Sequence, residues 1–511
     1  MDIKKIFKRT IVVFIIQMLL LPCVFDSSAQ RLKAKPKPKA KPAVPAVLKD
    51  HSPEGIKNEI KRVVTSGLLS NTMYGIYIKS LKTGEIIYSA NENLLLIPAS
   101  NMKIITSAVA LDILGPEYTF NTDIFSQSTP SGGKIDGDLY IKGYGNPVLY
   151  PEDIWIMAKE ISLLGINEVK GDIVVDGGYL DKSLAEQKLG KTSDSTVLSA
   201  LPLNFNSVRY TVSPYNKSPN GNSPFISVDP FSSYLSLSNN VKPGEPTEEN
   251  TTQVTTYKNN DKGEKVVFNG KFNGKLPVTG YSRVNSPCLF TGESFRKLLL
   301  SDGVKVSGKV KEGTTPEKSV LVYRHGSKPL SQIIVDMNKY SNNFIADHLF
   351  VAVGAKALGM PATAEKSIST EIELFKKDKI YSEGIKIKDG SGLSKENRLT
   401  AHFITKVLED LYTDLGQGPE FIASLPIMGV DGTLHRRLQK SPLKRHIRAK
   451  TGYVNGTSAL SGYVMTDEKE PIVFSIIINN CRDVIAAKLA QDHIVETIAS
   501  MKREVKTAKA S

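Results

Sequence analysis

Residues 98–116 of this chain read PASNMKIITSAVALDILGP, and this stretch predicts the centre of the fold. The run from Ile104 to Leu114 is apolar almost all round and Gly115-Pro116 ends it, so we expect a buried helix with Ser100 at its first turn. The N-terminal end of a helix has unpaired N–H groups and the positive pole of the helix dipole, which favour developing negative charge. Residues three positions apart share a helix face, so the amine of Lys103 can reach the Ser100 hydroxyl. A capping Ser beside a surface Lys is the alternative interpretation of this motif.

Two further motifs follow in chain order, Ser341-Asn342-Asn343 and Lys450-Thr451-Gly452. The first lies between two predicted helical segments, so both polar side chains can enter one cleft, although helix capping is an equally good interpretation of it alone. The second closes a basic stretch and is expected on an edge strand, where a glycine lets a substrate backbone come close. The ordered set of three motifs is typical of enzymes that acylate an active-site serine.

Copies of each motif occur elsewhere, and context separates them. Ser-x-x-Lys recurs at Ser131, Ser294 and Ser441, Ser-Asn-Asn at Ser238, and Lys-Thr-Gly at Lys82. Ser294 is the serious rival, since it can open a short helix through Leu300, but its amphipathic pattern suits an exposed structural element. Lys82-Thr83-Gly84 lies between two predicted strands and is interpreted as a hairpin turn.

From about Lys57 to Met501 the chain resembles the low-molecular-mass class C penicillin-binding proteins, the D-Ala-D-Ala carboxypeptidases and endopeptidases of peptidase family S13. Spacing is the most specific element, because Ser341 lies 241 positions after Ser100 and this family inserts extra domains in that gap. The stretches 143–147, 389–394 and 429–434 are also similar to the family and are interpreted as turns. The implied fold class is α+β, with a beta-lactamase/transpeptidase-like core, an antiparallel sheet flanked by helices, and inserted β-rich domains.

The resemblance implies a hydrolase that cleaves D-Ala-D-Ala bonds or cross-links of peptidoglycan stem peptides through a serine acyl-enzyme, and that beta-lactam antibiotics acylate. The implied catalytic residues are Ser100 as nucleophile, Lys103 as base, Ser341 as proton relay and Asn343 as the amide that orients the substrate. The implied substrate-binding residues are Lys450, Thr451 and Gly452, and the implied oxyanion hole consists of the backbone N–H groups of Ser100 and Tyr453.

Other functions are weighed against this one. A beta-lactamase shares the motifs, but the large insertion argues against it, and a non-catalytic peptidoglycan-binding scaffold has no reason to keep all these residues together. The seven histidines form no His-Glu-x-x-His pattern, so no metal or cofactor is predicted, and His348 is interpreted as structural.

The N-terminal region predicts export. Residues 1–29 have a basic start, an apolar core and Ser27-Ser28-Ala29 as a cleavage site, which is the pattern of a secretory signal peptide, and periplasm is the expected location. Cys23 suggests a lipid anchor, but Pro22 before it disfavours one. Residues 1–50 carry a net charge of +8 out of +14, so the high charge predicts contact of a basic Pro/Lys linker with an anionic envelope polymer and no nucleic-acid binding.

The predicted domains follow from these patterns. They are a signal peptide (1–29), a linker (30–52), a catalytic domain in two pieces (53–125 and 282–501), one or more inserted domains (126–281) and a basic tail (502–511). Two cysteines, Cys288 and Cys481, remain after signal cleavage, and one disulfide or two free thiols are both open. The sequence leaves the oligomeric state undetermined.

Overall fold

The computed structural model describes residue 48 and residues 50–186, 197–214, 224–230, 232–258, 263–274 and 276–503. The predicted signal peptide with Cys23, most of the linker and most of the basic tail lie outside these residues. Within them, no helix combines the length and the apolar character needed to span a membrane.

The α-helices of the described chain are, in order, α1 (Pro53–Thr65), α2 (Met102–Leu114), α3 (Pro151–Leu163), α4 (Lys182–Glu186), α5 (Pro287–Ser301), α6 (Leu330–Tyr340), α7 (Asn343–Leu358), α8 (Ala364–Lys377), α9 (Ala401–Thr413), α10 (Gly418–Ser424) and α11 (Val484–Ala499). Short 3-10 turns lie at Gly67–Leu69, Ala99–Asn101, Asn204–Asn206 and Gly432–Leu434.

The strands are β1 (Met73–Ser80), β2 (Ile86–Ala90), β3 (Asn121–Ser126), β4 (Lys134–Ile135), β5 (Leu139–Gly143), β6 (Glu168–Val169), β7 (Ile173–Asp176), β8 (Ser207–Ser213), β9 (Phe225–Asp229), β10 (Leu235–Pro243), β11 (Gln253–Lys258), β12 (Glu264–Phe272), β13 (Val278–Arg283), β14 (Lys305–Val306), β15 (Val310–Glu312), β16 (Val320–Gly326), β17 (Ile447–Val454), β18 (Thr457–Met465) and β19 (Pro471–Asn479).

The sheet that carries the motifs is antiparallel, with the strand order β17-β18-β19-β1-β2. Alternate residues of β19 enter two different cores, since Phe474, Ile476 and Ile478 pack with α1 and α11, whereas Val473 and Ile477 pack with the helices on the other side. Successive side chains of a strand point to opposite faces, so this continuous apolar strand is buried between two helical layers. The predicted hairpin of β18 and β19 is confirmed.

The layer opposite α1 and α11 contains the two apolar helices of the motif regions, α2 and α7. Both are buried on nearly every side, as the apolar run after Lys103 predicted. Helix α2 packs on α7, and α9 packs on α2, β1 and β19. Ser100 and Asn343 are therefore brought together by the packing of two helices that begin at the same cleft.

A second, mixed sheet has the order β15-β7-β5-β3-β16. The other strands between β4 and β14 form three three-stranded sheets, β14-β6-β4, β13-β8-β9 and β10-β12-β11. These strands, α3 and α5 share one core. The sheet draws strands from 121–126 and 310–326, on both sides of the interval 126–281 that was predicted as inserted. The domain boundaries remain a prediction, but hydrogen-bonded pairing of β16 with β3 and of β15 with β7 joins residues on both sides of them.

Several local expectations have clear outcomes. Ser294 lies in the middle of α5, which begins at Pro287, and its buried hydroxyl donates to Phe290 O at 2.7 Å, so the expected short exposed helix was wrong. Gly84 ends the Lys82 copy in the turn between β1 and β2 with φ +75°, which confirms the hairpin turn. Cys288 and Cys481 are both free thiols.

Candidate active site

Ser100 lies in the 3-10 turn Ala99–Asn101, two residues before α2 begins at Met102, and not in the first turn of that helix as expected. The preceding Ala99 has φ +48°, a left-handed conformation that non-glycine residues seldom adopt. Buried amides fasten this turn to the sheet: Asn101 Nδ2 donates to Ser461 Oγ at 2.6 Å, and Asn479 bonds both backbone groups of Ile97 at 2.8 and 3.0 Å. The turn that carries Ser100 is thus held against β18 and β19, and the Ser100 side chain is half-buried.

Lys103 follows on the first turn of α2, and its side chain is fully buried. Its Nζ donates to Ser100 Oγ at 3.2 Å, to Asn343 Oδ1 at 2.8 Å and to Ser391 O at 2.6 Å. Burial lowers the pKa of this amine to about 8, while the carboxylates of Asp347 and Asp389 oppose that shift. The amine can therefore lose its proton far more readily than an exposed lysine does.

Ser341 and Asn343 lie at the junction of α6 and α7. Ser341 ends α6 in a left-handed conformation with φ +57°, and the Asn342 side chain caps α7 by accepting from Ile345 N at 3.1 Å. This reversal of the chain turns Ser341 toward Lys450, whose Nζ donates to Ser341 Oγ at 2.9 Å. Asn343 begins α7 and faces Lys103, so helix capping and entry into one cleft, which the sequence presented as alternatives, occur together.

The third motif lies on β17, the edge strand, as expected. Lys450 is fully buried, and burial together with nearby Lys103 holds its pKa well below the ordinary value. A β-carbon on Gly452 would lie 2.7 Å from Pro98 O and 3.3 Å from Ala99 Cβ. Glycine is therefore required here because the strand passes close to the turn before Ser100, a reason different from approach of a substrate backbone.

The outer edge of β17 is only partly covered in the described structure. Ala449 N donates to Pro426 O at 3.0 Å, and Met428 N donates to Ile447 O at 3.0 Å. Backbone groups of alternate residues on a strand point to the same side, so the N–H groups of Thr451 and Tyr453 also point outward, beyond the covering segment. Tyr453 is exposed, and its neighbour Gly452 lies against the turn that carries Ser100.

The sequence did not identify Asp347 and Asp389, two carboxylates that hold the loop in contact with Lys103. Asp347 Oδ1 accepts from Ser391 N at 3.0 Å, and Asp389 accepts from Gly392 N at 2.6 Å and from Ser394 N at 2.7 Å. These contacts shape the loop whose Ser391 carbonyl accepts from Lys103. The loop 389–394 was predicted only to be a turn. Asp347 could have been noticed in the sequence, because it is a carboxylate inside the apolar run of α7.

Two other buried groups, Glu371 and His348, lie near Asp389 and Asp347, respectively. Glu371 is fully buried on α8 with neither carboxyl oxygen hydrogen-bonded within the described chain, and burial with Asp389 nearby raises its pKa to about 8. His348 donates from Nδ1 to Phe344 O at 2.9 Å and accepts at Nε2 from Ser199 N at 3.4 Å. Burial lowers the His348 pKa to about 4, which agrees with the structural role expected for it.

Comparison of the chain with known proteins points to one family. A profile described as the D-Ala-D-Ala carboxypeptidase 3 (S13) family matches residues 56–501. A D-alanyl-D-alanine carboxypeptidase of Actinomadura sp. (strain R39) is 30% identical over 464 residues, covering 85% of this chain and 84% of the relative. The carboxypeptidase DacB of Haemophilus influenzae is 27% identical over 439 residues, covering 81% of this chain and 87% of the relative.

Solved structures show the same fold. The crystal structure of penicillin binding protein 4 from Haemophilus influenzae superimposes with a TM-score of 0.72 at 24% identity, covering 85% of this chain and 97% of that one. The expected transpeptidase-like core with an antiparallel sheet flanked by helices is thus confirmed. The profile spans both the motif-bearing sheet and the strands between the first two motifs, and so this chain belongs to the D-Ala-D-Ala carboxypeptidase 3 (S13) family.

Proposed function

We propose that this protein hydrolyses D-Ala-D-Ala-type peptide bonds of peptidoglycan stem peptides, as a carboxypeptidase, a D,D-endopeptidase or both, with Ser100 as the nucleophile. Membership of the family gives the reaction class. The single observation that carries the assignment to residues is the contact between Ser100 Oγ and the buried amine of Lys103 at 3.2 Å, with a lysine pKa of about 8. A nucleophilic hydroxyl needs a base within hydrogen-bond reach, and this amine meets that condition.

The hydrogen bonds of Lys103 suggest how the proton moves. A protonated amine has three donors, and three acceptors surround Nζ, of which Ser100 Oγ is the most distant. When the amine is neutral it keeps two donors for Asn343 and Ser391, and its lone pair accepts from the Ser100 hydroxyl. That reversal leaves the serine oxygen ready to attack.

In the proposed acylation, Ser100 Oγ forms a bond to the substrate carbonyl carbon while its proton passes to Lys103. The negative charge on the carbonyl oxygen is stabilised by the N–H groups of Ser100 and Tyr453. The bond to the leaving nitrogen then breaks as Ser341 delivers its proton to that nitrogen and receives in its place the proton that Lys103 took from Ser100, so Lys103 is neutral again. Water then attacks the ester carbonyl while Lys103 accepts its proton, and the bond to Ser100 Oγ breaks as Lys103 returns that proton to the serine oxygen, which releases the peptide.

Substrate binding is proposed along the outer edge of β17. The N–H groups of Thr451 and Tyr453 point outward there, and an extended peptide can pair with such an edge as an added strand. In this proposal the Lys450 amine and the Thr451 hydroxyl bind the carboxylate that follows the scissile bond. The same groups would hold the carboxylate of a penicillin.

Labelling with a fluorescent penicillin tests the assignment. We expect a slowly released adduct on Ser100 by mass spectrometry, no adduct in Ser100→Ala, and an unchanged adduct in Ser294→Ala, the matched Ser-x-x-Lys copy. An adduct on another serine would refute the assignment of Ser100 as the nucleophile. If folded protein forms no adduct on any serine, the result would favour the non-catalytic scaffold. Rapid penicillin turnover would instead favour a beta-lactamase.

We further propose that the protein is exported to the periplasm and that the basic linker contacts an anionic envelope polymer. The proposal rests on residues 1–29 and on the Pro/Lys pattern of residues 31–42, all outside the described structure. Deletion of residues 31–42 should weaken retention of the protein in washed envelopes. Unchanged retention would contradict the role of this linker.

A further inference from the structure

A threonine pair lies beside the third motif. Thr433 Oγ1 is 2.8 Å from Thr451 Oγ1, and this contact lies on the solvent-exposed side of the site. Thr433 comes from the 3-10 turn Gly432–Leu434, within a stretch for which the sequence predicted no role beyond a turn. Its side chain is exposed, whereas Leu434 next to it is fully buried, so the turn is fixed in the core while Thr433 stays accessible.

The turn is anchored to the same elements that carry the second motif. Lys339, two residues before Ser341, donates from Nζ to Asp431 Oδ2 at 2.7 Å and to Leu425 O at 2.7 Å. Asp431 Oδ1 accepts from Ile427 N at 2.7 Å. Gly432 has φ +53°, and a β-carbon there would lie 2.5 Å from Lys339 O. The backbone segment that leads into Thr433 is therefore held against the end of α6.

A second anchor follows the turn. Arg437, mostly buried, donates from Nε to Asp492 Oδ1 of α11 at 2.7 Å and from Nη2 to Lys488 O at 3.2 Å. The turn that presents Thr433 is thus fastened on both sides, to α6 before it and to α11 after it. A hydroxyl positioned in this way can bind a ligand with little loss of conformational entropy.

The two hydroxyls can each direct a proton to a different oxygen of one carboxylate. In the structure one of them must donate to the other, and a carboxylate placed against the pair would replace this contact by two charge-assisted hydrogen bonds. The Lys450 amine, on the same strand, donates to Thr451 O at 3.0 Å and so places a further hydrogen-bond donor next to the pair. Neighbouring Thr433 and Thr451 can therefore donate together to the two oxygens of one carboxylate.

We propose that Thr433 is a specificity residue, which binds with Thr451 the free carboxylate of the substrate on the leaving-group side of the scissile bond. This inference rests on the proposed function, because it requires the peptide to lie along β17 with its scissile carbonyl at Ser100. It assigns to the turn 432–434 a direct contact with substrate. Substrates that lack a carboxylate at that position should gain nothing from Thr433.

The test compares two stem-peptide substrates that differ only in the C-terminal group, one with a free D-Ala carboxylate and one with a C-terminal amide. The variants are Thr433→Val, which keeps the shape and removes the hydroxyl, and Thr433→Ser, which restores a hydroxyl. Thr279→Val is the matched control, since Thr279 forms another exposed threonine pair, 3.4 Å from Thr211 Oγ1. The measured quantity is kcat/KM for each substrate.

Thr433→Val should lower kcat/KM for the free acid about tenfold and for the amide less than about twofold, as expected for one lost hydrogen bond to a charged group. Thr433→Ser should recover most of the loss, and Thr279→Val should match the wild type. An equal loss for both substrates, or no loss for either, would overturn the role of Thr433. Wild-type protein that turns over neither substrate and forms no Ser100 adduct would instead overturn the proposed function.

Discussion

Replacement of Asp347 by Asn should move the pH dependence of acylation to lower pH. Asp347 acts on Lys103 in two ways: its charge raises the lysine pKa, and its Oδ1 accepts from Ser391 N at 3.0 Å, which orients the carbonyl that binds Lys103. Asn keeps an oxygen that can accept this bond, and it replaces the second carboxylate oxygen by a neutral NH₂ group of similar size. The substitution therefore isolates the electrostatic effect of the carboxylate.

The size of the effect follows from the lysine pKa of about 8. With that value, roughly 10% of the amine is neutral at pH 7 and roughly 1% at pH 6, so the acylation rate should rise about tenfold per pH unit and level off above pH 8. Loss of a nearby opposite charge changes a pKa by about 1 unit or more. Asp347→Asn should thus acylate about tenfold faster than the wild type at pH 6 and at a similar rate above pH 9.

The assay measures the pseudo-first-order rate of labelling by a fluorescent penicillin from about pH 5.5 to about pH 9.5. This range extends to both sides of the lysine pKa. Asp136→Asn is the matched control, because Asp136 is an exposed carboxylate paired with Lys170 at 2.6 Å. Its profile should coincide with that of the wild type. A midpoint that stays unchanged or moves to higher pH in Asp347→Asn would refute the assignment of Lys103 as the base.

Two predictions concern stability. Glu371 holds its proton in the folded state up to a pKa of about 8, whereas the unfolded state releases it near 4.5, so the stability of the wild type falls as pH rises between these values. Glu371→Gln should therefore be more stable than the wild type by up to about 3 kcal/mol at pH 7 in urea unfolding, with the difference shrinking toward pH 5; a difference independent of pH would contradict the raised pKa of Glu371. Gly392→Ala should cost more than about 2 kcal/mol, since a β-carbon at φ +79° would lie 1.9 Å from Ala99 O. Gly456→Ala, at φ +82° with no atom within 4 Å, should cost only about 1 kcal/mol, and equal midpoints for both variants would show that the clash is absent.

Local patterns in the sequence were sufficient for the elements that carry the motifs. The apolar run after Lys103 predicted α2 because a helix buried on every side needs no polar face. The alternation of charged turn and apolar strands predicted the hairpin of β18 and β19, and Gly84 marked a turn. Helix α5 was misjudged because its start at Pro287 was not recognised, which placed Ser294 at a helix end.

The partners of the site residues were beyond such patterns. Lys103 meets Asn343 and Ser391 across 240 and 288 positions of sequence, and these contacts exist only because α2, α7 and the loop 389–394 pack together. Asp347 and Glu371 belong to no motif, and their significance lies in their burial, whereas Thr433 lies in a stretch predicted only to be a turn, and its significance lies in its contact with Thr451. The same holds for Gly452, which is close to Pro98 only in the folded chain.

Short motifs were thus enough to predict the reaction class and the order of the chemical groups, because each motif specifies which functional groups share one helix turn or one strand. Tertiary structure alone decided the electrostatics, because a lysine pKa depends on how completely neighbouring segments exclude water and on which carboxylates they bring near. It also decided the contact between Thr433 and Thr451, since a hydrogen bond between two different elements forms only when both are held in place.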